Sequence, residues 1–514
     1  MARLFRYGFF LLLVTWNTIC MAVPRPGEGD VIVNMPKCKG TVYELFDVIT
    51  QKTGLQFVYD SSIINNDFKT SIKKGSYTIQ QAVKLITHNN NLNVQIFESH
   101  ILITPTVAAR TVHTIRTDTK QQSSGMLIVG RLIDKASHRP LEAGSIRVEN
   151  SSIGSVTNLN GEFRLLLPDS LQTSYIVFSH IGYSIKILPA ITFLAGSHTV
   201  ELQERIVPLQ EVVLRLSNPI HLLSEFHNNI KKNYSSSPIS TTSFYREGVE
   251  FEKRFVKLSE GVFRIYKPSA LSTEPDRVEL LKMRNITSRN EKDSVMAKIK
   301  AGIDASLSLD IIKSDPDFLD QFNNEYEFLS TGITTIDDRS ASIIYFKQKE
   351  DVQQPYYCGE LYIDNDNFAL LGAQFEINPK YVKSAESIFV VRKSRGMKVI
   401  PQKIVYNLQY KRWNGHYYIN YVRGDLYFKI RSHRRWFGSS SLHTWFEMAT
   451  CKIDTVGVNR ITRKESLPRT SIFEETNFPY DVSFWNDFNI IPIEKKLSES
   501  IEKIALKIEE LKEQ

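Results

Sequence analysis

The sequence has few cysteines and no cysteine motif. Of the four cysteines among 514 residues, Cys20 lies in an apolar N-terminal segment. Cys38, Cys358 and Cys451 are far apart and form no Cys-x-x-Cys pair. This spacing excludes a disulfide-rich scaffold. A single bridge between Cys358 and Cys451 stays open, although buried free thiols are the favoured interpretation.

The sequence also lacks the common motifs of catalysis. It contains no His-Glu-x-x-His zinc motif, no Gly-x-Ser-x-Gly nucleophile elbow and no Walker or Rossmann glycine loop. We therefore predict no catalytic residue, no cofactor and no metal site, and a protein that is not an enzyme. A glycosidase is the enzyme class least affected by this argument, because it needs two carboxylates whose pairing in space a sequence does not show.

Three polar pairs or runs have some of the spacing of a metal site. His221 and Glu225 lie one turn apart on a predicted helix, but further ligands are missing, so a surface contact is favoured. Residues 364–367 (DNDN) begin like a calcium loop, yet Phe368 and Ala369 follow where a ligand and a glycine are required, which favours a hairpin turn. His443 and Glu447 lie on a predicted strand, about 13 Å apart, too far for one ion.

A strong excess of charge of one sign is absent as well. The formal net charge is +8, and two of these charges, Arg3 and Arg6, lie in the first 22 residues, so the remainder carries +6. Such a mild excess permits contact with an anionic membrane and argues against a dedicated nucleic-acid binder. Hydrophobic residues make up 42% and charged residues 23%, as in globular proteins, and the length suggests roughly three domains.

No apolar run is long enough for a membrane helix. The longest, FFLLLVTW at 9–16, follows Arg3 and Arg6 and precedes the small residues Cys20 and Ala22. This pattern predicts a secretory signal peptide over residues 1–22, cleaved after Ala22. Lipidation of Cys20 is not expected, because Ile19 stands where a lipoprotein signal has a small residue.

Residues 31–104 have the pattern of a small mixed domain. After Thr41, the apolar residues Val42, Leu45, Phe46 and Ile49 are spaced for one face of a helix, and Gly54 stands where a C-cap glycine is expected. Thr78-x-x-Gln81 is a capping box that opens a second helix. Short strands precede, separate and follow the helices, which predicts the order β-α-β-β-α-β-β.

The segments TVYELFDVITQKTGLQFVYD and GSYTIQQAVKLITHNNNLNVQIFESHILI in this domain resemble the secretin and TonB short N-terminal domain. The resemblance extends over roughly 75 residues and lies in their pattern rather than in any single residue. It implies a periplasmic interaction module that stands in front of outer-membrane transporters or secretins. The partners implied by the resemblance are envelope proteins, including anti-sigma regulators.

Residues 105–126 are polar, without apolar period, and predict a linker. Residues 127–203 are rich in strand patterns, with Asn160-Gly161 as a hairpin signal between Ser155-Val156 and Phe163–Leu165. The segments GRLIDKASHRPLEAGSIRV, SVTNLNGEFRLLLP and IVFSHIGY resemble the carboxypeptidase regulatory-like domain. This resemblance implies a prealbumin-like β-sandwich without catalytic residues.

A short N-terminal domain followed by a sandwich of this kind resembles the front end of TonB-dependent glycan transporters. About 300 residues remain after them, whereas a plug and a 22-stranded barrel at ~10 residues per strand need about twice that length. The strand patterns also lack the spacing and the aromatic girdles of such a barrel. We therefore do not expect a transporter.

Residues 215–514 predict a large antiparallel curved sheet or half-barrel with flanking helices. A helix is expected from Asn218-Pro219 to about Tyr234, a helical stretch from Glu291 to Phe322, and an amphipathic helix from Ile493 to Leu511. The strands are predicted at 243–251, 255–266, 278–286, 341–347, 356–364, 368–377, 387–391, 402–413, 417–431 and 442–454. SFYREGVEFEKRFVKLSEGVFRIYK, GELYIDNDNFALLGAQFEI and FWNDFNIIPIEKKLSESIEKI resemble an uncharacterised domain of envelope proteins and, more distantly, the lipoprotein-carrier half-barrel.

Two surface patterns suggest ligands for this last part. The densest basic cluster, with an aromatic residue beside it, predicts a contact with anionic lipid or lipopolysaccharide, against the alternative of a solvated hairpin loop; it comprises Lys429, Arg431, Arg434, Arg435 and Trp436. The tyrosines of the long strands suggest a lipid or glycan cleft, although sheet core is the favoured interpretation; they are Tyr406, Tyr410, Tyr417, Tyr418, Tyr421 and Tyr427.

The sequence as a whole therefore predicts a multidomain α+β and all-β protein of the periplasm and outer membrane. Its predicted function is non-enzymatic: it docks envelope proteins through its N-terminal modules, with a lipid or glycan ligand and no nucleic acid. Two alternatives stay open. One is a regulator that contacts an anti-sigma factor, and the other is a hydrolase built on residues 215–514. Lipid anchoring and the oligomeric state are not predicted.

Overall fold

A computed structural model describes most of the chain between residues 31 and 494. The described residues are 31–59, 64, 68–90, 92–97, 100–105, 125–205, 218–287, 297–299, 302–320, 322–393, 396–432, 439–468 and 488–494. The chain divides into two compact units, Met1–Lys120 and Gln121–Gln514. The predicted signal peptide, the interior of the linker and nearly all of the helix predicted over 493–511 lie outside the described residues.

The described residues of the first unit form two helices and seven short strands. The helices are α1 (Val42–Thr53) and α2 (Ile79–Thr87). The strands are β1 (Ile32–Met35), β2 (Cys38–Thr41), β3 (Gln56–Tyr59), β4 (Lys69–Ile72), β5 (Gly75–Thr78), β6 (Leu92–Phe97) and β7 (His100–Pro105). Strand β1 pairs with β5, β2 with β4, and β7 lies between β3 and β6. This part of the chain has two strands more than the predicted order β-α-β-β-α-β-β. Four-residue strands such as β2 are too short and too polar to show an alternation of apolar and polar side chains.

Both helices of this unit begin at capping boxes, of which the one at Thr78 was predicted. The Thr41 hydroxyl accepts from the Glu44 backbone N–H at 3.2 Å, and the Glu44 carboxylate accepts from the Thr41 N–H at 2.8 Å. Thr78 and Gln81 repeat this exchange. Gly54 ends α1 with φ of 71°, the left-handed conformation that glycine adopts at least cost. The apolar faces of both helices enter one buried core, made of Val33, Met35, Val42, Leu45, Phe46, Ile49, Ile79, Ala82, Val83 and Ile86 with strand residues.

The second unit begins with two small sheets packed on a shared core. One has the order β10-β9-β12-β13 and the other β11-β8-β14. The strands are β8 (Met126–Asp134), β9 (Ser145–Val148), β10 (Gly154–Val156), β11 (Glu162–Leu167), β12 (Tyr175–Ser179), β13 (Lys186–Pro189) and β14 (His198–Leu202). We call these two sheets the sandwich. Its core contains Phe163, Phe178 and Phe193, whose ring centroids lie 5.4–6.2 Å apart.

The prediction of a hairpin at Asn160-Gly161 is wrong. Strands β10 and β11 flank this turn, but they belong to different sheets, so the turn carries the chain from one layer to the other. The side chain of Asn158 holds it, accepting from the backbone N–H of Asn160 at 3.0 Å and of Glu162 at 2.9 Å. Gly161 has a φ of 73°, and a Cβ there would lie 2.3 Å from a backbone oxygen. Glycine is required by this close approach rather than by a hairpin.

Residues 239–454 form an antiparallel sheet of ten strands. The strand order is β17-β16-β15-β26-β25-β24-β22-β21-β20-β19. The bounds are β15 (Ile239–Phe251), β16 (Arg254–Lys267), β17 (Arg277–Thr287), β19 (Tyr326–Ile336), β20 (Arg339–Gln348), β21 (Tyr357–Asp364), β22 (Leu370–Ile377), β24 (Met397–Trp413), β25 (His416–Ser432) and β26 (Ser440–Asp454). A separate pair joins β18 (Ala297–Ile299) and β23 (Val390–Lys393). The predicted large antiparallel sheet is therefore confirmed.

Most strands predicted for this region occur within a few residues of their expected bounds, and three expectations differ. Strand β19 was not predicted, because it is a half-buried edge strand with several polar residues. Residues 386–389, part of a predicted strand, form a short helix. The predicted helical stretch 291–322 contains β18 and two short helices, Ile303–Ser308 and Ile311–Ser314. The helix predicted from residue 218 is confirmed as α3 (Pro219–Asn233), capped by Asn218.

The two faces of the ten-stranded sheet differ. Helix α3 and the short helices cover one face, which holds the largest apolar core, including Phe226, Phe318, Phe346, Phe375 and Phe446. The opposite face, which we call the sandwich face, carries Phe244 and Val262 and packs against Ala143 and Val156 of the sandwich. Tyrosines of the long strands are mostly core, as favoured: Tyr406, Tyr410, Tyr417, Tyr418 and Tyr421 are buried, while Tyr427 is exposed.

The cysteines of the described residues are free thiols. Cys358 and Cys451 are both buried and unbridged, so the alternative of a bridge between them is wrong. Burial raises the pKa of each thiol to about 11. Neither is therefore a thiolate at neutral pH, which fits the prediction of inert core thiols.

Candidate functional site

The sequence-predicted candidates are scattered. Lys429 is half-buried and Arg431 exposed near the end of β25, whereas Arg434, Arg435 and Trp436 lie outside the described residues. The lipid contact therefore stays a prediction. His221 and Glu225 lie on α3, and the searched residues contain no group of three or more side chains that could hold a metal ion.

Residues 364–367 form the turn between β21 and β22, as favoured. Asp364 is fully buried, and its carboxylate accepts from the guanidinium of Arg339 and from the backbone N–H of Asp366 at 2.8 Å and of Asn367 at 3.2 Å. These donors occupy the oxygens that a calcium ion would use. The carboxylate thus stabilises the turn.

The sandwich face carries a buried cluster of charged residues that the sequence did not predict. Arg246 on β15 is 0% exposed, and its guanidinium lies 2.9 Å from the Glu260 carboxylate, 3.3 Å from that of Glu447 and 3.5 Å from that of Glu494. Arg284 Nε donates to Glu260 at 2.9 Å. Burial acts to lower the pKa of Arg246, but its three carboxylate neighbours outweigh burial and hold the pKa above its ordinary value.

A second group of charges continues this cluster along the same face. Arg423 on β25 forms two hydrogen bonds to Asp425, at 2.7 and 3.0 Å, and stacks on Trp445 with 5.2 Å to the ring centroid. Its guanidinium also lies 3.6 Å from Glu447, whose other contacts include the hydroxyl of Tyr421 at 2.9 Å. Glu447 therefore joins the two arginines. We call the whole set the ionic cluster.

Residues 488–494 lie between the sandwich and the ten-stranded sheet and close the ionic cluster. Arg246 donates to the backbone oxygens of Ile491 and, at 3.3 Å, of Pro492. On the sandwich side, Asn158 donates to the oxygen of Pro492 at 3.2 Å, and the backbone N–H of Leu166 donates to Asn489 Oδ1 at 2.5 Å. Segment 488–494 thus bonds to both neighbours through its backbone and through the side chains of Asn489 and Glu494.

His443 and Asp425 form a titratable pair at the rim of the cluster. His443 Nε2 lies 2.9 Å from Asp425, and its Nδ1 lies 3.9 Å from Glu250. Burial acts to raise the pKa of Asp425, but the hydrogen bond from His443 and the charge of Arg423 outweigh it and hold the pKa at about 2. Burial acts to lower the pKa of His443, but Asp425 and Glu250 outweigh it and raise the pKa above 6.5.

The pair predicts a pH dependence of stability. The contribution of Asp425 is complete above pH 3.8 and is lost as the pH falls through about 2. The contribution of His443 is complete below pH 6.5 and is lost as the pH rises through its raised pKa. We expect His443→Gln to lower the free energy of unfolding by about 1–2 kcal/mol at pH 5 and by less at pH 9.

Urea unfolding of the full chain at a series of pH values checks this prediction. The matched control is His416→Gln, at the start of β25. Among the described residues, no carboxylate is paired with the imidazole of His416. A His443→Gln effect that stays constant from pH 5 to pH 9 would contradict the assignment of the charged pair.

The helix-covered face holds a smaller buried ionic group. Lys267 Nζ lies 2.9 Å from both Asp276 and Asp310, and the hydroxyl of Tyr410 donates to Asp310 at 2.9 Å. Burial acts to lower the pKa of Lys267, but the two carboxylates outweigh it and raise the pKa. A lysine paired in this way stays protonated, so it is neither a base nor a nucleophile at neutral pH. The group therefore ties the short helix Ile311–Ser314 to the sheet.

The first unit presents apolar side chains at its surface although its core is complete. Tyr43 on α1 is 65% exposed, and Leu85 on α2, Phe68 and Ile32 are also exposed. Phe68 lies edge-on to His88, with ring centroids 5.8 Å apart. Exposed aromatic and aliphatic side chains of this kind are frequent in protein–protein contacts.

Comparison with known proteins identifies one domain. Residues 55–106 match the family described as the secretin and TonB N terminus short domain. The match begins next to β3 and extends through β7, so it covers about two thirds of the domain predicted at 31–104. The comparison with curated proteins finds no match to this chain. Within the described residues, no helix is long and apolar enough to cross a membrane.

Three solved structures are similar to part of the chain, with low scores. An outer membrane lipoprotein-sorting protein domain from Vibrio parahaemolyticus is 9% identical, with a TM-score of 0.22, and covers 47% of this chain and 95% of its own. A DUF1329 family protein from Desulfovibrio piger is 12% identical, with a TM-score of 0.19, and the match covers 47% of this chain and 96% of that protein. MucB in complex with MucA(peri) is 10% identical, with a TM-score of 0.15, and covers 46% and 98%.

Proposed function

We propose that this chain is a non-enzymatic protein of the cell envelope that binds a partner protein through its first unit. The match of residues 55–106 to the secretin and TonB short domain carries the proposal. The partner would be an envelope protein, either an outer-membrane transporter or an anti-sigma regulator. The signal peptide predicted at residues 1–22 would export the chain to the periplasm.

The build of the first unit supports a docking role. Both helices pack on one buried core that consists of residues of this unit. The exposed Tyr43 and Leu85 lie on the outer sides of the same helices whose inner sides form this core. A folded module with apolar side chains left outside is suited to binding another protein.

In this proposal the second unit has a different role. The sandwich, similar in sequence to carboxypeptidase regulatory-like domains, serves as a spacer or a second docking site. The ten-stranded sheet would carry the binding site for a lipid, a glycan or another protein. Its helix-covered face is filled by aromatic side chains such as Phe318, Phe346 and Phe375, whose centroids lie 4.6–6.5 Å apart, and the cavity between Tyr234, Lys267 and Tyr410 measures about 20 Å³. That volume holds no lipid chain.

Deletion of residues 31–105 tests the proposal. Cells would produce the tagged full chain or the deletion variant, and proteins captured by cross-linking would be identified. We expect an envelope protein that is recovered with the full chain and lost with the variant, because the second unit forms a separate body that survives the deletion. A transporter and an anti-sigma regulator are the two outcomes that support docking. Identical capture by both chains would contradict it.

Point variants separate docking from folding of the unit. The double variant Tyr43→Ala and Leu85→Ala removes exposed side chains without touching the core, so we expect an unchanged melting temperature and a weaker capture. The matched control is Tyr175→Ala, which removes an exposed tyrosine from the sandwich in the second unit. Capture should be unaffected by the control.

A further inference from the structure

A polar cavity lies where the sandwich meets the ten-stranded sheet. Its volume is about 360 Å³, within the range of small-molecule sites. Three separate parts of the second unit form its walls: residues 147–152 of the sandwich, the turn between β19 and β20, and the turn between β24 and β25. The floor includes Leu371, Tyr410 and Tyr417. The cavity is independent of the first unit and of the ionic cluster.

The charges that line this cavity are mostly positive. Arg147, Lys411 and Arg412 line it without a carboxylate partner within 4 Å among the described residues, and Asp337 is the one acidic residue in the lining. A fourth cation, Arg339, is already paired with Asp364. The lining thus keeps a surplus of two positive charges after Asp337 is counted. Arg412 is exposed and Arg147 is half-buried, so of these three cations Lys411 alone stands in a buried place, where a cation is normally paired.

Lys411 makes the surplus costly. It is 5% exposed, and its Nζ donates to backbone oxygens of Thr450 at 3.0 Å and of Ser152, which lines the cavity, at 3.5 Å. An ammonium has three donors, and the described residues supply acceptors for two of them. Burial lowers the pKa of Lys411 to about 8, and the nearby Arg147 acts in the same direction. The ammonium is therefore held in a site that disfavours its charge.

The other buried lysine of the sheet shows what a structural role looks like. Lys267 is buried to a similar degree, but it has two carboxylates at 2.9 Å and a raised pKa. Lys411 has neither. A protein that keeps an uncompensated buried charge gives up stability at that position, and such positions concentrate at functional sites. An anion from outside the chain would supply the counter-charge that the described residues do not give Lys411.

We propose that this cavity binds the phosphate group of a phosphate monoester. A dianion matches the surplus of two charges, and the guanidinium of an arginine has the fork geometry that phosphate oxygens accept. The cavity is larger than a bare phosphate, and Trp413 and Tyr417 line it beside the cations. These rings would pack against the organic part of the ester. The ester would be either soluble, such as a sugar phosphate, or the headgroup of a lipid.

Calorimetric titration of the full chain with glucose 6-phosphate, inorganic phosphate and glucose tests the proposal. We expect glucose 6-phosphate to bind, inorganic phosphate to compete with it, and glucose to give no heat. Lys411→Met should weaken binding at least about tenfold, since it removes a charged donor from a buried site. The same variant should melt at a higher temperature than the wild type, because an unpaired buried charge is replaced by an apolar side chain.

The matched control is Lys403→Met, which removes an exposed lysine from the same strand and should leave binding unchanged. Vesicles of phosphatidylcholine with and without phosphatidic acid distinguish the two sources of the ester. Binding to phosphatidic acid that depends on Lys411, with no binding of glucose 6-phosphate, would assign the site to a lipid headgroup. Failure of all three phosphate probes, or equal binding by wild type and Lys411→Met, would overturn the proposal.

Discussion

Replacing Arg246 by alanine is expected to lower the free energy of unfolding of the second unit by about 3–5 kcal/mol. The guanidinium is fully buried and stands between Glu260, Glu447 and Glu494. Without it, Glu494 would stand buried with no cation within 4 Å among the described residues, and Glu260 and Glu447 would each keep one arginine partner instead of two. Leaving such charges buried and unpaired is the main source of the loss, and it exceeds the net value of the original ion pairs.

The variant also removes bonds that hold segment 488–494. Arg246 donates to the backbone oxygens of Ile491 and Pro492, and these oxygens would lose a partner in a buried place. Urea unfolding followed by tryptophan fluorescence measures the effect, because Trp445 lies on the same face of the sheet. Part of the loss should be recovered at low pH, where the uncompensated carboxylates become protonated.

Arg264→Ala is the matched control. Arg264 lies on the neighbouring strand β16 and pairs with Glu279 at the surface, where its side chain is about half exposed. Surface ion pairs contribute about 0–1 kcal/mol, so this variant should unfold almost like the wild type. Equal effects of the two substitutions would show that burial of the ionic cluster does not determine its contribution.

Replacing Ile491 by aspartate is expected to release segment 488–494 from the rest of the second unit. Ile491 is 0% exposed and packs in a core shared by the sandwich and the sheet, with Val156 and Phe244. A carboxylate there would be buried among apolar side chains, and the nearby Arg246 is already surrounded by carboxylates. We expect a loss of about 4 kcal/mol or more, the range of the most damaging single substitutions.

The release should be visible as a local change before global unfolding. Backbone N–H groups that segment 488–494 protects, such as that of Leu166, should exchange with deuterium faster in Ile491→Asp, while the core of the first unit should be unaffected. Val456→Asp introduces the same charge at a residue that is 89% exposed, and it should change neither exchange nor stability. If both variants exchanged like the wild type, segment 488–494 would not hold the sandwich and the sheet together.

The local parts of the fold could be predicted from the sequence, because their causes are local. Thr41 with Glu44, and Thr78 with Gln81, contain the whole capping exchange within four residues. The strands β24, β25 and β26 are 15–17 residues long and rich in apolar and aromatic side chains, so their existence and approximate bounds could be predicted. Edge strand β19 is half-buried with several polar residues and was missed.

The candidate sites could not be predicted in the same way. Periodicity tells which residues share a face of their own strand, but it does not tell which strand lies beside it. Arg246 and Glu447 come together because β26 pairs with β15, although some 200 positions separate them in the sequence. Lys411 and Ser152 meet because the sandwich packs on the sheet. Nothing in the sequence of β15 and β16 singles out Arg246 and Glu260, because both strands carry several other charged residues.

The sequence by itself determined the elements, the strand-rich character of the second unit and the short-domain pattern at residues 31–104. The tertiary structure alone decided the strand order, the change of sheet at Asn160-Gly161 and the pairing of every buried charge. The physical reason is the distance along the chain over which each kind of interaction acts. Capping, turns and alternation act over a few residues, whereas the cost of a buried charge depends on groups brought near by chain segments hundreds of residues apart. Lys411 is unpaired and Lys267 is paired for that reason.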